Sequence, residues 1–325
     1  MDIVDKRFKL DTYLKYVPVS RNVDTSMSER TIELALETFK PKPSDVIIST
    51  FAKTGTTLVT WMCHQLRTGG HLDFEDIYQV APWILLCWDL GMDANVDGSQ
   101  FQPRLFKSHL RLASEFRGCK YIVTLRDPAK TTLSFFNFFV AKGIPFVQES
   151  NPSEFLRGYD YIKGNDKGRP SIWDYYNDYY ACRDCPNVLV VVYEDLIKDM
   201  DSSLRLMADF MEIPITNELI DKVATMSSKE YMAQHGSKMD ETWVYKQALK
   251  LGRSPDNASG WAPSKRIVSD QENKTRAQTL DPDALALLDT KWKEQIAART
   301  GFKTYSDFAA YFSKRNAEKV KSLGS

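Results

Sequence analysis

The 325-residue sequence has no excess of either charge, because 43 lysines and arginines are balanced by 43 aspartates and glutamates. Nucleic-acid-binding domains usually carry a basic excess, so this balance argues against a nucleic-acid partner. No apolar run approaches the roughly 20 residues that a membrane helix needs, and the first residues lack the apolar stretch of a signal peptide. We therefore expect a cytoplasmic protein without a membrane partner, of one large domain or two small ones.

Residue types that build metal and redox centres are also scarce, with four histidines and five cysteines in the chain. The one C-x-x-C pair, Cys182 and Cys185, has neither a second cysteine pair nor two histidines at zinc-finger spacing. A redox pair is one interpretation, since this spacing lowers a thiol pKa. We favour two reduced thiols at a helix end, and the sequence predicts no metal site.

Four short segments read as strands, and the fourth of them, 188–193, is apolar throughout, as is typical of a strand buried in a parallel sheet. Helix-like segments alternate with them, which predicts βαβ units. We expect a single α/β domain over residues 1–325, with a central parallel sheet of four or five strands and helices on both faces. Outside the regular pattern we expect an N-terminal segment over 1–30, a long loop over 236–264 and a frayed tail over 313–325. The predicted strands are 46–51, 104–109, 121–125 and 188–193, and predicted helices include 128–142 and 216–224.

The turn after the first predicted strand has the composition of an anion-binding corner. A glycine that joins a strand to a helix directs several backbone N–H groups, and the positive end of the helix dipole, toward one point. Lys53 adds a charge to this corner. The order of residues differs from a Walker A loop, in which the lysine follows the last glycine. The remaining donors are hydroxyls of Thr54, Thr56 and Thr57 and N–H groups from Gly55 to Leu58.

Two further strand ends carry reactive side chains, and the carboxyl ends of parallel strands meet at one edge of a sheet. Lys107 and His109 are two residues apart, so they point to the same face. A histidine there can accept a proton from an incoming hydroxyl, while the lysine stabilises charge on the transferred group. Arg126 follows the third strand and suits a phosphate, with Ser134 eight residues later on the next helix.

These segments resemble motifs of the soluble, cytosolic-type sulfotransferases that use 3′-phosphoadenosine 5′-phosphosulfate (PAPS). The corner is similar to their P-loop-like 5′-phosphosulfate loop, P-K-S-G-T-T-W, with Ala52 and Leu58 in place of the proline and the tryptophan. Residues 105–110 resemble F-L-K-T-H-L, 193–196 match Y-E-D-L, and 227–230 resemble T-S-F-K-E, with Ser228 in place of the aromatic residue. The dimer motif of the family is not recognisable near residue 270, which leaves the oligomeric state open.

The resemblance implies transfer of a sulfuryl group from PAPS to a hydroxyl or amine of a small, apolar or aromatic acceptor, with PAP as product and no metal. The implied catalytic residues are Lys53, Lys107 and the general base His109. The implied acceptor-site residues are Phe51, Trp83 and Phe138, under a cap formed by loop 236–264. The implied PAPS-binding residues are Lys53, Thr54, Gly55, Thr56, Thr57, Leu58, Arg126, Ser134, Tyr193, Ser227 and Arg253, with Lys265 and Arg266 as rivals of Arg253.

Two other functions are consistent with parts of the pattern. A P-loop phosphotransferase would need Mg²⁺ and a Walker A lysine, and the Walker A order is absent. A PAP-binding protein without turnover is the second alternative, because Leu58 and Ser228 remove the aromatic rings that usually contact the adenine.

Overall fold

Four parallel strands form the centre of the protein, in the spatial order β2-β1-β3-β4. They are β1 (Val46–Ser49), β2 (Leu105–Ser108), β3 (Lys120–Leu125) and β4 (Val188–Val192). The computed structural model describes residues 35, 37–96, 100–112, 118–158, 162, 170–252 and 279–323. The predicted parallel sheet of four or five strands is confirmed, with strand boundaries that differ by one or two residues from those expected.

Helices cover both faces of the sheet, as predicted. Alternate strand residues point to opposite faces, so Ile47 and Phe106 belong to one buried cluster and Ile48 and Leu105 to the other. The helices are α1 (Thr56–Thr68), α2 (Pro128–Ala141), α3 (Pro145–Gln148), α4 (Pro152–Gly158), α5 (Ile172–Ala181), α6 (Tyr193–Lys198), α7 (Met200–Phe210), α8 (Asn217–Met226), α9 (Lys229–Gln234), α10 (Thr242–Lys250), α11 (Pro282–Trp292), α12 (Ala298–Thr300) and α13 (Tyr305–Leu323), with a π-helical segment over Lys293–Ala297. Short 3₁₀ turns cover Ile77–Gln79, Ile84–Leu86, Trp88–Leu90 and Gly236–Lys238.

The strand register brings the expected functional segments to one edge. Ile48 of β1 lies opposite Lys107 of β2 on one side and Ile122 of β3 on the other. The pairing extends past β1, because the N–H of Thr50 donates to the carbonyl of Ser108 at 3.3 Å. The loop after β1 therefore starts beside the end of β2, next to His109.

The first part of the predicted loop 236–264 is regular structure. Gly236–Lys238 is a 3₁₀ turn and Thr242–Lys250 is helix α10. Val244 and Ala248 are buried four residues apart, and this single apolar stripe holds the helix against the core. The prediction of a long loop is thus wrong for residues 236–238 and 242–250, and residues 253–264 lie outside the described part of the chain. Residues 1–30 also lie outside it.

The predicted frayed tail is also wrong for residues 313–323, because α13 continues to Leu323. Two anchors hold this helix. Phe308 and Phe312 are buried in the core, and the side-chain amide of Asn316 donates to the carbonyl of Val190 at 2.9 Å. The polar composition of the last turns hides this attachment, since polar side chains such as Asn316 and Arg315 make part of it.

The C-x-x-C pair lies where a helix ends, as the sequence suggests. Cys182 caps the C-terminus of α5, and the N–H of Cys185 donates to its carbonyl at 3.0 Å. Neither cysteine forms a disulfide bond, and Cys182 is buried. Across the described residues, no group of three or more His, Cys, Asp or Glu side chains has the geometry to hold a metal ion.

Candidate active site

The corner between β1 and α1 is shaped by two residues with positive φ. Lys53 has φ 67° and Gly55 has φ 117°. A Cβ atom on Gly55 would lie 2.6 Å from Cδ2 of Tyr193, so the position admits no side chain. Gly55 is also the N-cap of α1, and no side-chain hydrogen bond caps this end. The first N–H groups of an α-helix have no intrahelical acceptor, and here they remain available to an anion.

The side chains of this corner do not all turn toward the anion position. The Thr54 hydroxyl donates to the carbonyl of Phe51 at 2.6 Å, lies 2.7 Å from the Thr124 hydroxyl and is completely buried. The expectation of a ligand contact from this hydroxyl is therefore corrected: it stabilises the loop from inside. Thr56 Oγ1 lies 2.5 Å from Thr50 Oγ1, and Thr57 is half-buried.

His109, Lys107 and Trp83 lie together at the end of β2. The ammonium of Lys107 is 3.7 Å from the centre of the Trp83 ring. The imidazole of His109 approaches the same ring edge-on, with 5.2 Å between the ring centres. The structure thus brings together the two catalytic candidates of this strand and one candidate acceptor-site residue.

The hydrogen bond from His109 to the first residue after β1 determines which ring nitrogen carries the hydrogen when the imidazole is neutral. Nδ1 lies 2.8 Å from the carbonyl oxygen of Thr50. A carbonyl can only accept, so Nδ1 carries a hydrogen, and in the neutral imidazole Nε2 then carries the lone pair. A neutral imidazole with Nε2 as its basic atom is the form that a general base needs.

Arg126 connects the end of β3 to the corner after β1. Its Nη1 donates to the main-chain oxygen of Lys53 at 2.7 Å, and its guanidinium stacks on the Tyr193 ring at 4.3 Å. Tyr176 donates its hydroxyl to the carbonyl of Arg126, and burial raises the pKa of Tyr176 well above its usual value. The Arg126 Nε is buried and has no hydrogen-bond partner among the described residues. Arg126 therefore supports the corner and keeps a buried donor, Nε, without a partner among the described residues.

The other expected PAPS-binding residues differ in burial and in hydrogen bonding. Ser227 is buried at the end of α8, and its hydroxyl has no partner within the described ranges. Ser228 begins α9 instead, where its hydroxyl accepts the N–H of Tyr231 at 3.2 Å. Ser134 is half-buried on α2, and Leu58 is almost fully buried in the core beneath α1. Arg253, Lys265 and Arg266 lie outside the described residues.

The aromatic residues expected at the acceptor site have different environments. Phe51 is completely buried and packs edge-on against Phe135 and Tyr175, at centroid distances of 5.9 and 5.2 Å. The structure thus places Phe51 in the core, and its role at the acceptor site stays a prediction. Phe138 is half-buried, with the Lys53 ammonium 4.2 Å from its ring centre. Trp83 is half-buried as well.

Sequence reasoning missed a buried polar group behind Lys107. The Lys107 ammonium donates to the Tyr78 hydroxyl, which lies 3.4 Å from Glu241 Oε1. Glu241 Oε2 in turn pairs with Lys142 at 3.5 Å. The capping-box spacing of Asp76 and Gln79 could have predicted the turn that holds Tyr78, but no local pattern points to Glu241 or Lys142.

A model of the sulfotransferase domain family matches residues 43–260, which contain the corner, both other strand ends and Ser227. The chain belongs to the sulfotransferase family. It is 25% identical over 239 residues to the rat sulfotransferase 1 family member D1, covering 68% of this chain and 76% of the relative. It is likewise 25% identical over 222 residues to the amine sulfotransferase of rabbit, covering 65% and 70%.

The fold of this sulfotransferase is also that of a solved relative. The crystal structure of mouse sulfotransferase SULT7A1 complexed with PAP superposes with a TM-score of 0.57 at 18% identity, covering 88% of this chain and 95% of the mouse chain. As a member of the family, the protein is a PAPS-dependent sulfotransferase, and PAPS is its sulfuryl donor. The corner fits this donor, because the side-chain-free Gly55 and the buried donors of Arg126 and Ser227 suit a nucleotide that carries two phosphate groups.

No helix in the described part of the chain is both long enough and apolar enough to cross a membrane.

Proposed function

We propose that this sulfotransferase sulfates a hydroxyl or amine of a small, apolar or aromatic acceptor, with His109 as the general base. One observation carries the proposal. Thr50 is the residue that leads from β1 into the anion-binding corner, and its carbonyl accepts from His109 Nδ1, so that a neutral His109 has its lone pair on Nε2. The base and the corner for the donor therefore share one short stretch of backbone, which sets their separation.

When bound, PAPS supplies the sulfuryl group and a phosphate that leaves with the electron pair of the broken bond. We assign the 5′-phosphate to Lys53 and to the N–H groups from Gly55 to Leu58. We assign the 3′-phosphate to Arg126, Ser134, Ser227 and the late basic residue Arg253, and the adenine to Tyr193. The two buried donors without partners, Arg126 Nε and Ser227 Oγ, support the 3′-phosphate assignment, since buried polar groups are rarely left unpaired.

Each catalytic side chain then has one task. His109 Nε2 takes the proton of the acceptor as the acceptor oxygen or nitrogen bonds to sulfur. Lys107 stabilises the charge that develops on the transferring group, and Lys53 stabilises the departing phosphate oxygen. Trp83 and Phe138 supply the aromatic surface for the acceptor, and their half-buried rings next to Lys107 and Lys53 support this role.

The test combines a binding measurement with a transfer measurement. Isothermal titration with PAP measures donor-site affinity, and radiolabelled PAPS is offered with 2-naphthol, hexan-1-ol and phenylethylamine as phenol, alcohol and amine acceptors. We expect His109→Ala to lose about 10²–10⁴ in kcat while PAP affinity changes only a few-fold. The control is His235→Ala, because the contacts of the His235 side chain with the described residues are both local: a hydrogen bond to the carbonyl of Tyr231 and stacking on its ring at 4.2 Å.

A normal kcat in His109→Ala would contradict the general-base assignment. PAP binding without transfer to any acceptor class would point to the binding protein without turnover. The cytoplasmic location expected from the sequence stays a prediction, to be checked by fractionation.

A further inference from the structure

The buried polar group behind Lys107 links three segments that are far apart in the sequence. Tyr78 lies in the 3₁₀ turn before Trp83, Lys142 follows α2, and Glu241 precedes α10. The side chains of Lys142 and Glu241 are only 1% and 9% exposed. A buried charge is costly unless it is paired and hydrogen-bonded. Here Glu241 is paired with Lys142 and accepts a hydrogen bond from the Tyr78 hydroxyl.

The hydrogen bonds of this group are donated in one direction, from Lys107 to Tyr78 and from Tyr78 to Glu241. The ammonium of Lys107 has only hydrogens to give, so the Tyr78 oxygen must accept from it. The hydrogen of Tyr78 is then directed at Glu241 Oε1, and Lys142 holds the other carboxylate oxygen. Glu241 therefore orients the Tyr78 hydroxyl with its lone pair toward Lys107.

The backbone around this group is fixed as well. Asp76 accepts the N–H of Tyr78 on Oδ1 at 3.0 Å and the N–H of Glu241 on Oδ2 at 3.2 Å. One buried carboxylate thus sets the spacing between the tyrosine and the glutamate. Glu241 is held with φ 68°, a conformation that non-glycine residues rarely adopt.

We propose that Tyr78, oriented by Glu241, is a positioning residue that holds the Lys107 ammonium beside His109 for sulfuryl transfer. A lysine side chain is a flexible four-carbon stem with a point charge, so its charge is effective in a transition state only if its position is set beforehand. The Trp83 ring, 3.7 Å away, restrains one side of the ammonium. The Tyr78 oxygen restrains it from a second side.

This inference rests on the role given to Lys107 in the proposed function. If the group only bridged the three segments, its loss would lower the stability of the protein and its effect on kcat would not depend on Lys107. A double-mutant cycle separates the two, since residues that act through one another give non-additive effects. The variants are Tyr78→Phe, Lys107→Ala and the combination, assayed with radiolabelled PAPS and whichever of 2-naphthol, hexan-1-ol and phenylethylamine is sulfated fastest.

We expect Tyr78→Phe to lower kcat about 10-fold, with PAP affinity within about 2-fold, and to have no further effect once Lys107 is alanine. The matched control is Tyr180→Phe, whose ring stacks under Arg183 at 4.3 Å, away from the site. Equal losses from Tyr78→Phe in both backgrounds would overturn the inference. A Lys107→Ala variant with full activity would instead overturn the role of Lys107 in the proposed function.

A second measurement does not depend on turnover. A buried, hydrogen-bonded lysine ammonium exchanges its hydrogens slowly with water, so heteronuclear NMR of lysine ammonium groups should show a signal that Lys107→Ala removes. We expect Tyr78→Phe to broaden this signal and Tyr180→Phe to leave it unchanged. A Lys107 signal that is absent from the unaltered protein, or that Tyr78→Phe does not affect, would overturn the inference.

Discussion

The side chain of Arg126 holds the main chain of Lys53, through a hydrogen bond of 2.7 Å from Nη1 to the carbonyl oxygen. The end of β3 thereby supports the corner that follows β1. Arg126 is assigned to the 3′-phosphate and Lys53 to the 5′-phosphate, so this bond joins the two halves of the proposed donor site. Replacement of Arg126 should therefore weaken binding at both phosphate sites.

Replacement of Arg126 by alanine should weaken PAP more than it weakens adenosine 5′-phosphate, which lacks the 3′-phosphate. Loss of a charge-assisted hydrogen bond costs about 1.5–3 kcal/mol, and we expect this cost on PAP in addition to any loss shared by both nucleotides. Isothermal titration measures both affinities. Arg183→Ala is the matched control, because Arg183 stacks on Tyr180 at the same 4.3 Å outside the site. Equal losses for both nucleotides would restrict Arg126 to support of the corner.

Alanine at Gly55 should weaken PAP binding by about 10-fold or more, which is about 1.4 kcal/mol. The added Cβ would meet the Tyr193 ring at 2.6 Å, and φ is 117°. Gly69→Ala is the control at the other end of α1, because φ there is also positive, at 66°, but the Cβ would have open space around it. Backbone strain alone costs about 1–2 kcal/mol of stability, so both variants should be less stable and only Gly55→Ala should lose nucleotide affinity. Similar PAP affinities in the two variants would rule out a donor site at this corner.

The stability of the protein should fall in mild acid because of His64. This residue is fully buried, and burial, followed by the neighbouring Arg67 and His71, lowers its pKa from 6.5 to about 2. The unfolded chain therefore binds a proton below pH 6.5 that the folded protein does not bind. This contribution is constant above pH 6.5 and costs up to about 1.4 kcal/mol for each pH unit below it.

Urea denaturation at a series of pH values from about 8 to about 5 would measure this slope. His64→Gln should reduce the acid-side slope by the contribution of one group. An unchanged slope in this variant would show that His64 is also protonated in the folded state over this pH range.

The attachment of α13 can be tested by removing one of its buried rings. Phe312 is 3% exposed, so Phe312→Ala should lower the free energy of unfolding by about 3–5 kcal/mol. Leu323→Ala is the control, since Leu323 is 43% exposed at the end of the same helix. Chemical denaturation measures both variants. A Phe312→Ala variant as stable as the control would contradict the packing of α13 against the core.

The parts of the site that lie on local patterns could be predicted from the sequence. The corner with Gly55 has a strand, a glycine and a helix in immediate succession, so its backbone chemistry follows from neighbouring residues. The pair of Lys107 and His109 follows from the two-residue repeat of a strand. The same local reasoning predicts that the parallel strands place these residues at one edge.

The remaining errors and omissions concern long-range packing. Phe51 and Thr54 belong to the predicted corner, but whether a side chain turns inward depends on Phe135, Tyr175 and Thr124, which come from other segments. Glu241 meets Tyr78 across 163 residues of sequence. No periodicity within a window of the chain can report such a contact.

The hydrogen bond from Asn316 to Val190 also bears on whether β4 can pair with a strand of another molecule. β4 is an outer strand of the sheet, and its backbone groups on that side would otherwise be open to another chain. By donating to the Val190 carbonyl and packing along the strand, α13 occupies the position that a foreign strand would take. Helix α13 therefore hinders the pairing of β4 with a strand of another molecule.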